Sequence, residues 1–277
     1  MKFYGLLGEK LTHSLSPQLH KEIYKRVAIN AAYKTFPCPP GQVPQAIESL
    51  KVLSISGSNV TIPYKETVMP YLDEIDPTAR TLGVVNTISN LDGYLKGYNT
   101  DYEGFGLLFE RRQWDLSGKS VTVLGTGGSS KMVVQYLKDH GVKDITLVSR
   151  TIKESHSDSM VTYRTYDDSE AFSGDYLINT TPVGMYPNTG VSPVSDETPT
   201  RFDAFIDLIY NPLETAFLKQ ARSIGKPAVN GLEMLIGQAI KSVEIWENRS
   251  ISLNLMDELI QDFSQWGTVK FFMKTKN

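Results

Sequence analysis

The stretch Ser120–Thr151, SVTVLGTGGSSKMVVQYLKDHGVKDITLVSRT, is the part of the chain that decides the fold. It opens with the β-branched apolar run VTVL, which is typical of a buried strand. The glycine turn GTGG follows at once, and apolar residues then recur at helical spacing from Met132 to Leu137. A second apolar run, ITLV at 145–148, completes a strand–helix–strand unit of roughly 30 residues. The stretch therefore predicts an α/β domain.

The glycine turn carries most of the dinucleotide-binding pattern G-x-G-x-x-G. Gly125 and Gly127 occupy the first two glycine positions, and Ser130 stands at the third, where Gly or Ala is usual. Glycines let the backbone turn tightly and approach a pyrophosphate, which the positive end of the helix dipole then holds. Turns before helices also use glycine for purely steric reasons, but the flanking strand and helix favour a dinucleotide site. We expect the cofactor contacts of this turn to come from Gly125, Thr126, Gly127, Gly128 and Ser129.

The end of the second strand indicates which dinucleotide binds. An NAD site normally has Asp or Glu there to hold the ribose 2′-hydroxyl, but this chain has Ser149, Arg150 and Thr151. A guanidinium can hold a 2′-phosphate through two hydrogen bonds, and the hydroxyls can donate to it. A solvated loop arginine is the alternative interpretation, and the glycine turn upstream favours NADP. Three further cofactor contacts are expected, from Thr180, Leu208 and Gly231.

Composition limits the class of protein. The 277 residues are enough for two domains, and 40% hydrophobic with 21% charged residues is typical of a soluble globular protein. A net charge of −3 gives no general basic surface for nucleic acid or an anionic membrane. Cys38 is the only cysteine, which fits a reducing cytoplasm, and the four histidines show no metal-ligand spacing. We expect no metal, no membrane span and no signal peptide.

Polar residues that could bind a ligand lie in the first hundred residues. Ser14 and Ser16 stand where Pro17 begins a predicted helix, a position that suits a carboxylate ligand, although Ser16 could alternatively cap the helix. A third strand is predicted at 52–56, and a hairpin is predicted around Asp92 and Gly93. Lys65 follows Pro63 at a predicted helix start, where a cation opposes the helix dipole. The ordinary interpretation of Lys65 is an exposed surface lysine. The ordinary interpretation of Asp101 is a helix cap or an acid in the first helical turn.

Eight sequence blocks, in the same order, resemble those of the shikimate dehydrogenase family. They are HSLSP at 13–17, NVTIPYKE at 59–66, GVVNT at 83–87, NTD at 99–101, GTGG at 125–128, NTTP at 179–182, YNP at 210–212 and GQA at 237–239. The resemblance implies a two-domain α/β protein that reduces 3-dehydroshikimate to shikimate with NADP. It also implies an open-sheet substrate domain at 1–100, a Rossmann-like NADP-binding domain at 101–231, and C-terminal helices at 232–277 that return to the substrate domain.

The resemblance also implies a role for each matching residue. Ser14 and Ser16 would hold the substrate carboxylate, with the hydroxyl of Tyr210 nearby, and Lys65 would be the acid/base beside Asp101. The residues implied to bind the ring hydroxyls are Asn59, Thr61, Asn86, Asp101 and Gln238. Hydride delivery to the C3 carbonyl leaves an alkoxide, and an ammonium both neutralises that charge and supplies the proton.

The chain departs from the family pattern in three places. Glu9 and Lys10 stand where a proline-containing turn is usual, Ser149 replaces an asparagine, and Ser129 and Ser130 replace small apolar residues. Two alternatives stay open: a quinate/shikimate dehydrogenase of broader specificity, and a non-catalytic regulator that binds NADP or shikimate. The sequence leaves open whether the protein is a monomer or a homodimer, and it assigns no role to the tail from Gly267.

Overall fold

The structure, a computed structural model, describes residues 1–12, 14–152 and 158–269. The chain divides into two compact units. The first unit combines Met1–Gly104 with Ile236–Leu259, and the second comprises Phe105–Leu235 and the described residues from Ile260 onward. The first unit is therefore built from two stretches that lie far apart in the sequence.

The first unit contains a mixed sheet of six strands. They are β1 (Lys2–Gly8), β2 (Ala31–Pro37), β3 (Gly57–Val60), β4 (Glu74–Ile75), β5 (Thr87–Leu91) and β6 (Tyr94–Tyr98), in the order β2-β1-β3-β5-β6-β4. Strand β1 is parallel to β2 and β3, whereas β5 is antiparallel to β3 and β6. The predicted hairpin around Asp92 and Gly93 is confirmed, and both residues have positive φ, as a two-residue hairpin turn requires.

The second unit contains a sheet of six parallel strands. They are β7 (Ser120–Leu124), β8 (Asp144–Ser149), β9 (Val161–Thr165), β10 (Tyr176–Asn179), β11 (Ala204–Asp207) and β12 (Ala228–Val229), in the order β12-β11-β10-β7-β8-β9. The order reverses between β7 and β10, as in doubly wound dinucleotide-binding domains, whose ligands bind outside the carboxyl ends of the strands at that point. The predicted fold class, two domains of which one is Rossmann-like, is confirmed.

Eight α-helices accompany the sheets in the described residues. They are α1 (Ser16–Arg26), α2 (Val43–Val52), α3 (Pro77–Leu82), α4 (Thr100–Glu110), α5 (Gly128–Asp139), α6 (Ala216–Ser223), α7 (Leu232–Glu247) and α8 (Asn254–Val269). The strand–helix–strand unit predicted from the glycine turn is present as β7-α5-β8. Among the residues described, no helix is both long enough and apolar enough to cross a membrane.

Each unit has a core of its own. In the first, Ile47, Val60 and Ile88 belong to one buried apolar cluster. In the second, Leu124 and Phe205 belong to a cluster formed by the strands and α6. Each cluster covers one face of its sheet, so burial of apolar side chains stabilises both sheets.

The prediction of a third strand at 52–56 is wrong. Helix α2 continues to Val52, a turn follows, and the strand begins only at Gly57. A glycine is needed there because a Cβ would lie 2.3 Å from Nε1 of Trp246, which donates a hydrogen bond to the carbonyl of Ile88 at 2.9 Å. The apolar run at the end of α2 resembles a strand locally, but the strand begins where pairing with β1 and β5, which are distant in sequence, begins.

Candidate active site

The central feature of the first unit is an ion pair between Lys65 and Asp101. The Lys65 Nζ and the Asp101 Oδ2 are 2.5 Å apart. The two side chains are 28% and 22% exposed, so a ligand can reach both groups. The structure therefore places the two residues expected to act on the substrate in direct contact.

Lys65 lies in a series of turns. Its carbonyl accepts a hydrogen bond from the amide of Val85 at 2.9 Å, and the buried Tyr64 and Val68 anchor the turns in the core. The predicted helix start at Lys65 is wrong, because the next helical residues form only a short 3-10 helix, Met69–Tyr71. The charge of Lys65 therefore does not oppose a helix dipole.

Asp101 lies in the first turn of α4, where a carboxylate is favourable to the helix dipole. Two asparagines fix the start of this helix. The Oδ1 of Asn86 accepts from the Thr100 amide at 2.7 Å, and the Oδ1 of Asn99 accepts from the Tyr102 amide at 3.2 Å. Asn86 thus holds the residue that precedes Asp101.

Asn59 and Asn86 meet in a buried polar network. Asn59 is 5% exposed, and its Nδ2 donates to Oγ1 of Thr87 at 3.0 Å and to Oγ of Ser242 at 2.9 Å. Its Oδ1 accepts from the hydroxyl of Tyr33 at 2.8 Å. Burial raises the pKa of Tyr33 well above its ordinary value, so the phenol stays protonated and donates. Sequence reasoning did not identify Tyr33, Thr87 or Ser242 as site residues, although Ser242 lies one helical turn beyond the expected Gln238.

Ser14 and Ser16 lie at the start of α1. The residue at the N-cap position is Leu15, so the alternative interpretation of Ser16 as the cap is wrong. Instead, Oγ of Ser14 accepts from the amide of Ser16 at 3.2 Å. Nδ1 of His20 hydrogen-bonds to the carbonyl of Ser16 at 2.9 Å, and the His20 ring stacks on Tyr33 with centroids 4.0 Å apart. His13, which precedes this turn, lies outside the described residues.

The remaining expected substrate residues fall in both units. Thr61 directly follows β3, where its amide donates to the carbonyl of Leu7 at 2.9 Å. Gln238 lies in α7, and its carbonyl accepts from Oγ of Ser242 at 2.9 Å. Tyr210 belongs to the second unit, after β11, and burial raises the pKa of its phenol.

In the second unit the glycines of the GTGG turn differ in their surroundings. Gly125 has a φ of +105°, and a Cβ there would lie 2.8 Å from Oγ1 of Thr180, so any other residue would be strained and crowded. Gly127 is the N-cap of α5 and has no side-chain cap among the described residues. A Cβ on Gly127 or Gly128 would meet nothing within 4 Å. The first amides of α5 are therefore accessible to an anion.

The residues expected to select NADP follow β8. Arg150 and Thr151 are exposed, and within the described part of the chain the Arg150 guanidinium forms no hydrogen bond or ion pair. Oγ of Ser149 donates to the carbonyl of Thr151 at 2.7 Å. A serine hydroxyl has one hydrogen, so in this conformation Ser149 shapes the turn and does not donate to a phosphate.

Leu208 and Gly231 lie in direct backbone contact. A Cβ on Gly231 would come within 2.0 Å of the carbonyl oxygen of Leu208, so only glycine fits there. Just before Leu208, burial raises the pKa of Asp207 to about 6, and its carboxylate accepts from Thr215 Oγ1 at 2.6 Å and from Asn179 Nδ2 at 3.0 Å. The sequence did not indicate that this carboxylate holds the loop after β11.

Two further observations concern ligands. Among the described residues no group of three or more His, Cys, Asp or Glu side chains could hold a metal ion. A groove of about 630 Å³ in the second unit is lined by residues that include Ser192, Lys219 and Gln220, and it contains none of the expected site residues.

Known proteins resemble the chain over nearly its whole length. The family model for the shikimate dehydrogenase substrate binding domain matches residues 6–88. The shikimate dehydrogenase (NADP(+)) of Clostridium beijerinckii is 46% identical over 265 residues, covering 95% of this chain and 98% of that one.

Solved structures of this family also resemble the chain over nearly its whole length. Shikimate dehydrogenase 1 of Peptoclostridium difficile has a TM-score of 0.86 at 43% identity, covering 96% of this chain and 99% of that one. The shikimate 5-dehydrogenase of Thermus thermophilus, in complex with NADP(H) and shikimate, has a TM-score of 0.81 at 26% identity, covering 95% of this chain and 99% of that one. Together with the observed folds of both units, these matches show that the chain belongs to the shikimate dehydrogenase family.

Proposed function

We propose that the chain is an NADP-dependent oxidoreductase that interconverts 3-dehydroshikimate and shikimate. The observation that carries this proposal is the contact between Lys65 Nζ and Asp101 Oδ2 at 2.5 Å, in a chain whose relatives are named shikimate dehydrogenases. A partly exposed ammonium held by a carboxylate can deliver a proton to a ligand oxygen. A regulator that only binds shikimate would not need an acid/base group beside Asp101.

Lys65 acts as the acid/base. When bound, NADPH supplies the hydride that reduces the C3 carbonyl. Lys65 donates a proton to the oxygen that becomes the hydroxyl, and its positive charge stabilises that oxygen while negative charge develops on it. Asp101 accepts a hydrogen bond from Lys65, holds the ammonium in place and has lone pairs left for a substrate hydroxyl.

The substrate residues have distinct tasks. Ser14, Ser16 and Tyr210 bind the carboxylate, and Thr61, Asn86, Asp101 and Gln238 bind the ring hydroxyls. The Nδ2 of Asn59 is already bonded to Thr87 and Ser242, so only its Oδ1 can face a ring hydroxyl.

The cofactor residues lie in the second unit. The open turn from Gly125 to Ser129 and the first amides of α5 suit the pyrophosphate, because a Cβ on Gly127 or Gly128 would meet no neighbour. Arg150 holds the 2′-phosphate, with Thr151 beside it and Ser149 shaping the turn. Contacts at the carboxyl ends of the strands come from Thr180, Leu208 and Gly231.

Measuring absorbance at 340 nm tests the proposal directly. Purified protein is offered shikimate or quinate, each with NADP or NAD. We expect rapid NADPH formation with shikimate and little with quinate. Comparable rates with quinate would favour the broader quinate/shikimate dehydrogenase. Binding of NADPH without turnover of either substrate would favour the regulator.

Location and assembly complete the proposal. The single cysteine suits a reducing compartment, and we place the protein in the cytoplasm, as a monomer or a homodimer. Cell fractionation and light scattering of the purified protein decide these two points.

A further inference from the structure

We infer that Ser242 and Thr87 are positioning residues for the proposed reaction, because their hydroxyls help to fix which way the side-chain amides of Asn59 and Asn86 point, together with the Tyr33 hydroxyl and the Thr100 amide. Neither hydroxyl is accessible, since both residues are 0% exposed. The inference rests on the proposed function, because it concerns the binding of the ring hydroxyls.

Ser242 sets the orientation of Asn59. Its hydroxyl donates to the carbonyl of Gln238, one turn earlier in α7, at 2.9 Å. A hydroxyl has one hydrogen, so while Ser242 donates to Gln238 its oxygen accepts from Asn59, whose Nδ2 lies 2.9 Å away; the same oxygen lies 3.0 Å from Oγ1 of Thr87. A flipped Asn59 could accept from Ser242 only if Ser242 gave up its bond to Gln238, and it would turn its NH₂ group towards the Tyr33 hydroxyl, which donates to Asn59. Both changes are unfavourable in a buried site.

Thr87 couples the two amides. Its Oγ1 accepts from Nδ2 of Asn59 at 3.0 Å and donates to Oδ1 of Asn86 at 3.1 Å. Asn59 therefore presents its nitrogen to the network, and Asn86 presents its oxygen. The Thr100 amide, 2.7 Å from the same Asn86 oxygen, requires the same orientation of Asn86.

The consequence for the site is a fixed pattern of donors and acceptors. Within the described residues, all hydrogen bonds of the Asn86 side chain go to Oδ1, which leaves its NH₂ group for a ligand. Asp101, which follows the bonded Thr100, can only accept when it is ionised. A substrate hydroxyl can accept from Asn86 and donate to Asp101, so two buried hydroxyls select a ligand with hydroxyls in that arrangement.

The test removes each hydroxyl with little change in volume. In Ser242→Ala and Thr87→Val we expect kcat/KM for shikimate to fall roughly 10- to 100-fold, mainly through KM, because misplaced binding groups weaken positioning of the substrate. The KM for NADP should stay within about twofold of wild type, since each lost bond lies in the first unit.

Two matched variants separate positioning from general destabilisation. Thr87→Ser keeps the hydroxyl and should recover most of the activity that Thr87→Val loses. Ile88→Val changes a buried neighbour on the same strand and should lower stability by a similar amount without raising the KM for shikimate. A wild-type shikimate KM in both Ser242→Ala and Thr87→Val would overturn the inference, as would equal losses in Thr87→Ser and Thr87→Val.

A second readout does not depend on turnover. In protein labelled with ¹⁵N-asparagine, the Asn59 side-chain amide should exchange its hydrogens slowly in wild type and clearly faster in Ser242→Ala. If wild type fails to oxidise shikimate, the proposed function has failed, and this exchange comparison still judges the orientation of the amides. Equal exchange in the two proteins would overturn the inference.

Discussion

Replacing Lys65 with methionine removes the ammonium and keeps most of the side-chain volume. Loss of an acid/base group typically lowers kcat by about 10²–10⁴, which corresponds to roughly 3–5 kcal/mol in the activation barrier. The structural cost is much smaller. The partners are 28% and 22% exposed, and ion pairs with this access to water contribute about 0–1 kcal/mol. For a domain of this size we expect a Tm lower by roughly 2–4 °C at most.

Lys96 offers a matched control in the same unit. Its Nζ lies 2.8 Å from Oε1 of Glu74, and it is 29% exposed, close to the value for Lys65. Lys96→Met should therefore change Tm by a similar amount and leave kcat unchanged. Both variants are assayed at 340 nm with saturating shikimate and NADP, alongside thermal unfolding. A kcat of Lys65→Met within about threefold of wild type would refute the assignment of Lys65 as the acid/base.

Four further variants test the cofactor site and the buried groups. Arg150→Ala should reduce the preference for NADP over NAD by about 10- to 100-fold, because a charge-assisted contact with the 2′-phosphate is lost; kinetics with both cofactors measure this. Gly231→Ala should lower the free energy of unfolding by about 1–3 kcal/mol or more, since its Cβ would overlap the carbonyl of Leu208. Gly128→Ala has no such neighbour and should be neutral or stabilising by up to about 1 kcal/mol. His20→Phe should flatten the fall in stability that wild type shows between pH 6.5 and 4, measured by urea unfolding. Burial lowers the pKa of this histidine from 6.5 to about 4, so only the unfolded chain binds a proton within that range. The folded state then loses stability as the pH falls, by up to about 3 kcal/mol for a difference of 6.5 − 4 = 2.5 pKa units.

Each of these expectations has a clear contrary result. An unchanged ratio of kcat/KM for NADP to kcat/KM for NAD in Arg150→Ala would show that this arginine does not select NADP. Equal stability of Gly231→Ala and Gly128→Ala would show that the backbone near Leu208 relaxes freely. Parallel curves of stability against pH for wild type and His20→Phe would mean that the imidazole gains a proton equally easily in both states.

Local patterns predicted the parts of the fold that depend on neighbours in sequence. The β7-α5-β8 unit follows from apolar periodicity on either side of a glycine turn, within about 30 residues. The β5-β6 hairpin follows from Asp92 and Gly93, whose positive φ angles those residue types tolerate. In both cases the residues that determine the conformation are the residues that adopt it.

The same local reasoning was wrong where a distant partner determined the conformation. The apolar run at 52–56 looks like a strand, but the strand begins only at Gly57, which pairs with Tyr4 and Ser89. Lys65 looks like a helix start, but Val85 and the core hold its segment in turns. No pattern within either segment records these contacts.

The sequence by itself determined the family, the two α/β units, NADP as the cofactor of the family, and the set of candidate site residues. The tertiary structure decided how the buried side chains among these residues are oriented. Asn59 and Ser242 are 183 positions apart and still hydrogen-bond, and Lys65 meets Asp101 across 36 positions. Spacing along a chain constrains only neighbouring residues. The direction of a buried amide depends on every donor and acceptor that packing brings to it, and folding alone brings those groups together.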